Sequence, residues 1–299
     1  MDMTKIEKDT SGKEFKVIRR KNFLKKFKPG QVIAIIVLIA LLVMVLYPFY
    51  ILIIKSFKDR AQDVVDPYGI TFPFCWTNYS QAWKIVSPYI FNSLFLAITV
   101  SVLVLLVCSI TAFTFVAFKF RFKELIFMFI LTLMMVPGVI SLVPQYTMFV
   151  SFNLVGSYFG VIIPMVVGNI AFGVFLLRTF FNGLPKELFE AAKIDGARNF
   201  YVYLYIVVPL SVLIFLTLGI QVFLGVWNDY LWSLLILRNS FDKYTITIGL
   251  VSISNNPEFA NWINIPLAGY VISSIPLIIL FAFTSKQFIA GLTSGALKM

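Results

Sequence analysis

The sequence predicts an all-α, polytopic membrane protein with six transmembrane helices. Of the 299 residues, 60% are hydrophobic and only 13% are charged, and the mean hydropathy is +0.90. Soluble domains are about half apolar and about a quarter charged. The apolar residues are also gathered into long runs, which a soluble core would not require. Both observations indicate a chain whose solvent is the lipid bilayer.

Six of these runs are long enough to cross a membrane. A helix rises about 1.5 Å per residue, so about 20 apolar residues span the hydrocarbon core. The predicted spans are Val32 to Ile54, Tyr89 to Phe118, Leu125 to Met148, Tyr158 to Leu177, Val202 to Trp227 and Ile265 to Phe288. Several contain proline, which a packed membrane bundle tolerates because neighbouring groups satisfy the freed backbone.

The distribution of lysine and arginine predicts the orientation. Ten of the 25 basic residues lie between Lys5 and Lys28, and 19 fall in the segments that are inside if the N-terminus is inside. Only six fall in the outer segments. This bias predicts that both termini are cytoplasmic. The chain then divides into a basic leader (1–31), a six-span domain (32–288) and a cytoplasmic tail (289–299).

The net charge of +11 is therefore interpreted as a topology signal and an anchor for anionic lipid headgroups. It does not indicate nucleic-acid binding, which requires a clustered basic face on a folded domain.

The residue types that the sequence lacks disfavour several classes of function. There is no histidine, and of the two cysteines Cys108 lies in an apolar run, as a small buried hydrophobe would. This composition disfavours a metal site and a membrane-embedded enzyme. No Asp, Glu, Lys or Arg lies in the central part of a predicted span, which disfavours an ion-coupled carrier, although backbone carbonyls also bind sodium. No phosphate-binding glycine loop is present, so active transport would need an external energy source.

The inner segment at about 184–200 predicts a short helix followed by a sharp turn. Pro185 suits the first helical position, where its missing N–H costs nothing. Glu187 and Glu190 lie near the helix N-terminus, where the macrodipole favours acids. Gly196 permits the turn that ends the helix. By composition alone, the segment also fits an ordinary amphipathic connection.

The order of residues in this segment resembles the EAA loop of bacterial ABC importer permeases. Glu190 is followed by two alanines, by Gly196 six residues later, by Ile206 ten residues further and by Pro209 three beyond. Val208 stands where the family usually has leucine. Other stretches are similar to the maltose-type sugar permeases, in the class of the smaller maltose pore subunit. These stretches are Tyr47-Pro48-Phe49, Ser56-Phe57-Lys58, Asn92-Ser93-Leu94, Phe175-Leu176-Leu177-Arg178, Trp227-Asn228-Asp229-Tyr230-Leu231-Trp232 and Gly291 to Lys298.

The resemblance implies the type I ABC importer permease fold with a cytoplasmic EAA coupling helix. In that family, the helix seats in a groove of a cytoplasmic ATPase. Glu190 would be its polar anchor, and Ala191 and Ala192 its packing face. Gly196 would set the turn, and Asp195 would hold the loop.

The resemblance also implies partners. These are a second permease subunit in a heterodimer, two ATPase subunits that bind ATP and magnesium, and an extracytoplasmic solute-binding protein. No cofactor and no metal would be bound by this chain, which would lie in the bacterial inner membrane. The implied solute is a carbohydrate, most simply an oligosaccharide. An ion-coupled carrier and an ABC permease for a non-sugar solute are the alternatives.

Five residues are candidates for the solute path. Trp227, Asn228 and Asp229 lie at the outer end of the predicted fifth span. In a sugar permease, an aromatic–polar cluster there could stack on and hydrogen-bond a sugar ring; the three residues also fit an interfacial tryptophan beside a polar helix end. Asn169 and Gln221 are uncharged polar residues at membrane depth. They either hydrogen-bond between helices or line the path.

Overall fold

The computed structural model describes residues 5–8, 14–17, 29–259 and 262–296. Most of the predicted leader (1–31) therefore lies outside the described residues, as do residues 297–299 of the predicted tail. Within the leader, β1 (Lys5–Lys8) pairs antiparallel with β2 (Glu14–Val17). The described residues up to Tyr50 form one compact unit, and those from Ile51 onward form a second.

The rest of the described chain is helical. In chain order the helices are α1 (Pro29–Ser56), α2 (Arg60–Val65), α3 (Thr77–Ala117), α4 (Lys123–Leu133), α5 (Gly138–Ser151), α6 (Tyr158–Asn182), α7 (Lys186–Ile194), α8 (Asn199–Val202), a π-helical turn (Tyr203–Val207), α9 (Val208–Leu210), α10 (Val212–Trp227), α11 (Leu231–Leu237), α12 (Ile246–Ser254) and α13 (Asn264–Ala296). Short 3₁₀ turns at Phe241–Lys243 and Pro257–Phe259 complete the order.

Four helices in the described chain are individually long and apolar enough to cross a membrane, and the number is six when each of two bent pairs counts as one span. The four are Gly30–Ser56, Thr77–Ala117, Tyr158–Asn182 and Asn264–Ser285. The positions of the six predicted spans agree with these elements. The second predicted span corresponds to α3, which begins at Thr77 and not at Tyr89 as predicted. α13 continues through most of the predicted tail.

Two predicted spans are not continuous, which corrects the sequence analysis. α4 and α5 meet at 91°, because Pro137 is extended (φ −62°, ψ 123°) and a proline disfavours the helical conformation of the residue before it. α9 and α10 meet at 77°. There the π-helical turn precedes Pro209, and Ser211 leaves helical geometry (φ −108°, ψ 11°). Kinks at prolines and π turns are the usual form of such breaks.

The core of the second unit is built around α3, which packs against α6, α10 and α13. Leu96, Val100, Val104 and Cys108 of α3 are fully buried in it. The prediction that Cys108 is a buried apolar side chain is confirmed. Gly173 of α6 faces it so closely that an added Cβ would lie 2.6 Å from the Cys108 Sγ. Small residues at such contacts let helix backbones approach.

The connection between α1 and α3 is folded around Asp66. The N–H groups of Gly69 and Tyr68 donate to its Oδ1 at 2.8 and 3.2 Å. These two hydrogen bonds hold the pKa of the Asp66 carboxyl below its ordinary value. The Nζ of Lys58, a lysine that is almost completely buried, donates to the Asp66 carbonyl oxygen. This segment is therefore an ordered part of the fold, although it lies outside the spans.

Candidate coupling segment and solute path

The connection between α6 and α8 contains the predicted short helix. α7 begins at Lys186, so Pro185 is the capping residue before the helix and not its first residue as predicted. Its ψ of 125° keeps Pro185 extended, and its fixed φ of −57° leads directly into the helix. Glu187 lies in the first turn and Lys193 in the last, which is the arrangement that the helix dipole favours.

The turn after α7 is held by backbone hydrogen bonds. Gly196 has the left-handed φ of +74°. Its N–H donates to the carbonyl of Lys193 at 3.1 Å, and the N–H of Ala197 donates to the carbonyl of Ala192 at 2.9 Å. This pair of bonds defines a Schellman motif, in which glycine is favoured at the left-handed position. The turn predicted at Gly196 is confirmed.

Asp195 does not hold this loop in the way the resemblance implies. It is the C-cap residue of α7, and its side chain is exposed. Within the described residues its carboxylate makes no hydrogen bond or ion pair. The backbone bonds and the conformation of Gly196 fix the turn instead.

α7 has two chemically different faces. Phe189 and Ala192 point toward the rest of the chain and join the core cluster that includes α3 and α6; Ala192 is only 8% exposed. Ala191 and Ile194 lie on another side of the helix, and Leu188 lies at its margin, one turn before Ala192. All three are exposed, Ile194 to 87%. We call these three residues the free face of α7. Exposed apolar residues at helical spacing resemble the anchors of a helix that docks in a groove.

The two faces refine the roles implied by the resemblance. Ala191 is on the free face, whereas the contacts of Ala192 are with its own chain. Glu190 is exposed and lies at the edge of the helix, on the rim of a cavity described next. The sequence analysis missed Leu188 and Ile194, whose spacing of three from Ala191 is the helical signal that would have found them.

A cavity of about 380 Å³ lies between α7 and the adjacent ends of α3, α6 and α8. We call it the lysine-rimmed cavity because Lys119, Lys186 and Lys193 line it. The other lining residues are Phe113, Val116, Ala117, Phe181, Asn182, Leu184, Phe189, Glu190, Asn199 and Val202.

An ion pair joins α6 to α4 just before the coupling segment. The Nη2 of Arg178 donates to both carboxylate oxygens of Glu124, at 2.6 and 2.8 Å. The Arg178 guanidinium also lies over the rings of Phe127 and Phe115, at 3.8 and 5.3 Å from their centroids. Its Nε and Nη1 are buried and have no hydrogen-bond partner in the described chain. The arginine side chain is 9% exposed and the glutamate side chain 70%, so Arg178 is held within the protein and Glu124 reaches it from the surface.

The C-terminal end of α10 differs from both interpretations made from the sequence. Trp227 is only 3% exposed and stacks on Phe223, with ring centroids 5.9 Å apart. It is therefore a core residue, and it neither offers a free ring to a sugar nor sits as an exposed interfacial tryptophan. Asn228 is exposed, with its amide donating to the Leu224 carbonyl at 2.9 Å.

Asp229 lines a second cavity. Its carboxylate accepts hydrogen bonds from the N–H and the hydroxyl of Ser233, at 2.9 and 2.7 Å. The cavity has a volume of about 590 Å³, and we call it the Asp229 cavity. Ser141 and Gln145 of α5 are its other polar side chains, and Trp232 contributes an aromatic ring. Gln145 and Ser141 were not predicted; they follow the break before α5, which the sequence analysis did not place.

The two polar residues predicted at membrane depth have different surroundings. The Asn169 amide donates to the Met165 carbonyl of its own helix at 2.7 Å, so this bond joins no two helices. Gln221 is exposed on α10 and, within the part of the chain that is described, makes no hydrogen bond. It lies four residues after Thr217 and seven before Asn228, which places all three on one helical face.

The described residues contain no group of three or more His, Cys, Asp or Glu side chains that could hold a metal ion.

Comparison with known proteins decides the family. The family described as "Binding-protein-dependent transport system inner membrane component" matches residues 105–293. This chain belongs to that family. The match includes α6, α7, the Schellman turn and both cavities, so the coupling segment and the solute-path candidates lie within the shared region.

Relatives of this transport component match over most of their length. The chain is 32% identical over 262 residues to the arabinooligosaccharides transport system permease protein AraQ of Halalkalibacterium halodurans, with 84% of this chain and 91% of the relative covered. It is 30% identical over 270 residues to the sn-glycerol-3-phosphate transport system permease protein UgpE of Yersinia pestis, with 87% and 95% covered.

A solved structure shares the fold. It is the crystal structure of a bacterial ABC transporter involved in the import of the acidic polysaccharide alginate. The similarity has a TM-score of 0.74 at 22% identity and covers 87% of this chain and 98% of that one. The predicted type I ABC importer permease fold is confirmed. The family consists of transport components and not of enzymes, and it places the chain in the inner membrane.

Proposed function

We propose that this chain is one pore subunit of an ATP-driven, binding-protein-dependent importer of a carbohydrate, most simply an oligosaccharide. It works as a heterodimer with a second permease subunit. Two ATPase subunits bind ATP and magnesium, and an extracytoplasmic protein delivers the solute. The leader, the turn after α7 and the tail lie on the cytoplasmic side. The observation that carries this proposal is the free face of α7.

The free face has the properties of a mechanical contact. Leu188, Ala191 and Ile194 offer apolar surface to a partner, while Phe189 and Ala192 bind the other side of the helix into the core. The Schellman turn fixes the end of the helix, and the packing of Phe189 and Ala192 on the core cluster ties α7 to the spans. Closure of the ATPases would therefore move the spans together with α7. Glu190 at the edge of the helix supplies a charge for orientation.

The Asp229 cavity supports a neutral, hydroxyl-rich solute. Ser141, Gln145 and Asp229 provide acceptors and donors for hydroxyl groups, and Trp232 provides apolar contact. A carboxylate disfavours an anion by like-charge repulsion. The relatives include an arabinooligosaccharide permease and a glycerol phosphate permease, and the Asp229 carboxylate favours the first kind of solute. The uncharged polar face of α10, with Gln221 and Asn228, is suited to the same solute.

The decisive experiment separates the coupling contact from folding. The complex is purified through a tag on this chain, with Leu188→Ser and Ile194→Ser combined in one variant. Phe122→Ser is the control, because Phe122 is an exposed apolar residue in the preceding inner connection. We expect the α7 variant to lose the ATPase subunits and the control to retain them. Full retention of both the subunits and solute-stimulated ATP hydrolysis by the α7 variant would refute the contact.

The solute is tested in vesicles that contain the complete complex. Uptake of an arabinooligosaccharide is compared with uptake of glycerol phosphate, each with the matching binding protein and with ATP inside or absent. We expect ATP-dependent uptake of the oligosaccharide. Preferential uptake of glycerol phosphate would establish a non-sugar importer, and uptake by this chain alone along an ion gradient would establish an ion-coupled carrier.

A further inference from the structure

The lysine-rimmed cavity has a polar rim and an apolar floor. Its floor is formed by Phe113, Phe181 and Val202, all of which are buried, with the half-buried Phe189 above them. Its rim carries charged and polar side chains, among them Lys119. The volume of about 380 Å³ is within the range of about 300–1,000 Å³ that is usual for small-molecule sites. A ligand with one charged end and one apolar end matches this distribution.

The rim has excess positive charge that nothing in the described chain neutralises. Lys119, Lys186 and Lys193 face one carboxylate, that of Glu190, which gives the cavity a net charge of +2. Lys186 and Lys193 are four residues before and three residues after Glu190, yet among the described residues neither forms an ion pair with it. The amides of Asn182 and Asn199 add hydrogen-bond donors at the same level. The rim is thus suited to an anion.

The cavity lies where two membrane spans end. Ala117 is the last residue of the span that begins at Thr77, and Asn182 is the last residue of the span that begins at Tyr158. Both residues line the cavity. Because spans end near the headgroup layer, the rim lysines are within reach of lipid headgroups. Basic pockets between membrane helices on the cytoplasmic side bind anionic headgroups.

We propose that the lysine-rimmed cavity binds an anionic phospholipid, with its phosphate among Lys119, Lys186 and Lys193 and an acyl chain along the aromatic floor. Because α7 forms one wall, the bound lipid supports the helix from behind and strengthens its coupling to the ATPases. The proposal rests on the function proposed above, since it requires α7 to be the coupling helix on the cytoplasmic side. The ligand is recognised through its phosphate and its apolar chain together.

The test uses the complete complex in nanodiscs of phosphatidylcholine alone or of phosphatidylcholine mixed with phosphatidylglycerol. Native mass spectrometry counts the retained phosphatidylglycerol, and solute-stimulated ATP hydrolysis reports coupling. A first variant replaces the three rim lysines by glutamine. A second, Ala117→Phe, fills the floor and keeps all charges. Arg121→Gln is the matched control, because Arg121 is a cation of the same inner connection that does not line the cavity.

We expect phosphatidylglycerol to be retained by the wild-type complex and the Arg121 control and to raise their stimulated ATP hydrolysis. Each lost lysine should weaken lipid binding roughly fivefold, from the contribution of about 1 kcal/mol per basic residue near an anionic surface. Ala117→Phe should abolish retention although its rim is intact.

Three results would overturn the proposal. The first is equal retention by the wild type and both cavity variants, and the second is stimulated hydrolysis that does not depend on phosphatidylglycerol. The third is full replacement of the lipid by soluble glycerol phosphate in phosphatidylcholine nanodiscs, which would make the ligand a soluble phosphate. A complex that fails to assemble with its ATPases in any lipid would instead refute the proposed function.

Discussion

Gly196 is the position at which a single methyl group should test the coupling role of α7. Its φ of +74° is unfavourable for L-residues, and a Cβ added there would meet nothing within 4 Å. The cost of Gly196→Ala is therefore a backbone cost alone, of about 1–2 kcal/mol. Asparagine tolerates this conformation better. The expected order of coupling is Gly, then Asn, then Ala, with a β-branched Val last.

A cost of about 1–2 kcal/mol changes the population of the ordered turn by a factor of roughly 5–30. The core would remain folded, because the affected bonds are only the two that close the Schellman turn. Solute-stimulated ATP hydrolysis by the reconstituted complex should fall in that order, while the melting temperature of the purified chain changes little. Gly30→Ala is the control, since its Cβ would also meet nothing within 4 Å and its φ is not left-handed. Equal stimulation in Gly196→Val and wild type would refute the reasoning.

Three further predictions concern the body of the fold. Gly173→Ala should destabilise the chain by about 1–3 kcal/mol, because its Cβ would lie 2.6 Å from the Cys108 Sγ, and Cys108→Ala should restore most of the loss in a thermal melt. Arg178→Met should lower the melting temperature less than Glu124→Gln does, because the second change leaves a buried guanidinium without its carboxylate. The pKa of the Asp66 carboxyl is lowered, so the ionised carboxylate stabilises the fold at pH values above the ordinary pKa of an aspartate. This stabilisation should be lost as the pH falls below about 4. Protease protection of the connection between α1 and α3 measures the loss.

Each of these predictions has a control. Gly168→Ala in the same helix as Gly173 should be harmless, because its Cβ would meet nothing within 4 Å. Equal melting temperatures of Glu124→Gln and wild type would contradict the ion-pair argument. Asp66→Asn should remove the acid dependence of the protease protection; an unchanged profile in that variant would assign the dependence to another group.

The spans and the coupling helix could be predicted because both depend on local patterns. Apolar runs of membrane length gave the positions of the spans, and the residues from Pro185 to Gly196 contain their own start and stop signals. The bends could not be predicted in the same way. Pro137 and Pro144 both lie in the third predicted span, yet only the first coincides with the break and the second is inside α5. Proline marks a place where a helix can end, but packing decides whether it does.

Whether a residue faces the core or the surface was harder to predict than the helix to which it belongs. Trp227 and Asn228 are adjacent in sequence, yet one is a core residue and the other is exposed. Ala191 and Ala192 divide in the same way. Arg178 and Glu124 are 54 residues apart, so no spacing rule pairs them. These distinctions depend on which helices are neighbours, and that information is not local.

The separation of the two faces of α7 has a consequence for how transporters diversify. If the free face of α7 binds the ATPase as proposed, it does so with residues that are not part of the core cluster, whereas Phe189 and Ala192, which hold the helix, pack in that cluster. Pro185 and Gly196 close the helix at both ends through backbone geometry. Under that proposal, a change of Leu188, Ala191 or Ile194 would alter binding of the ATPase and leave the packing of the helix bundle in place. The ATPase contact and the transmembrane bundle would then acquire substitutions independently of each other within one lineage.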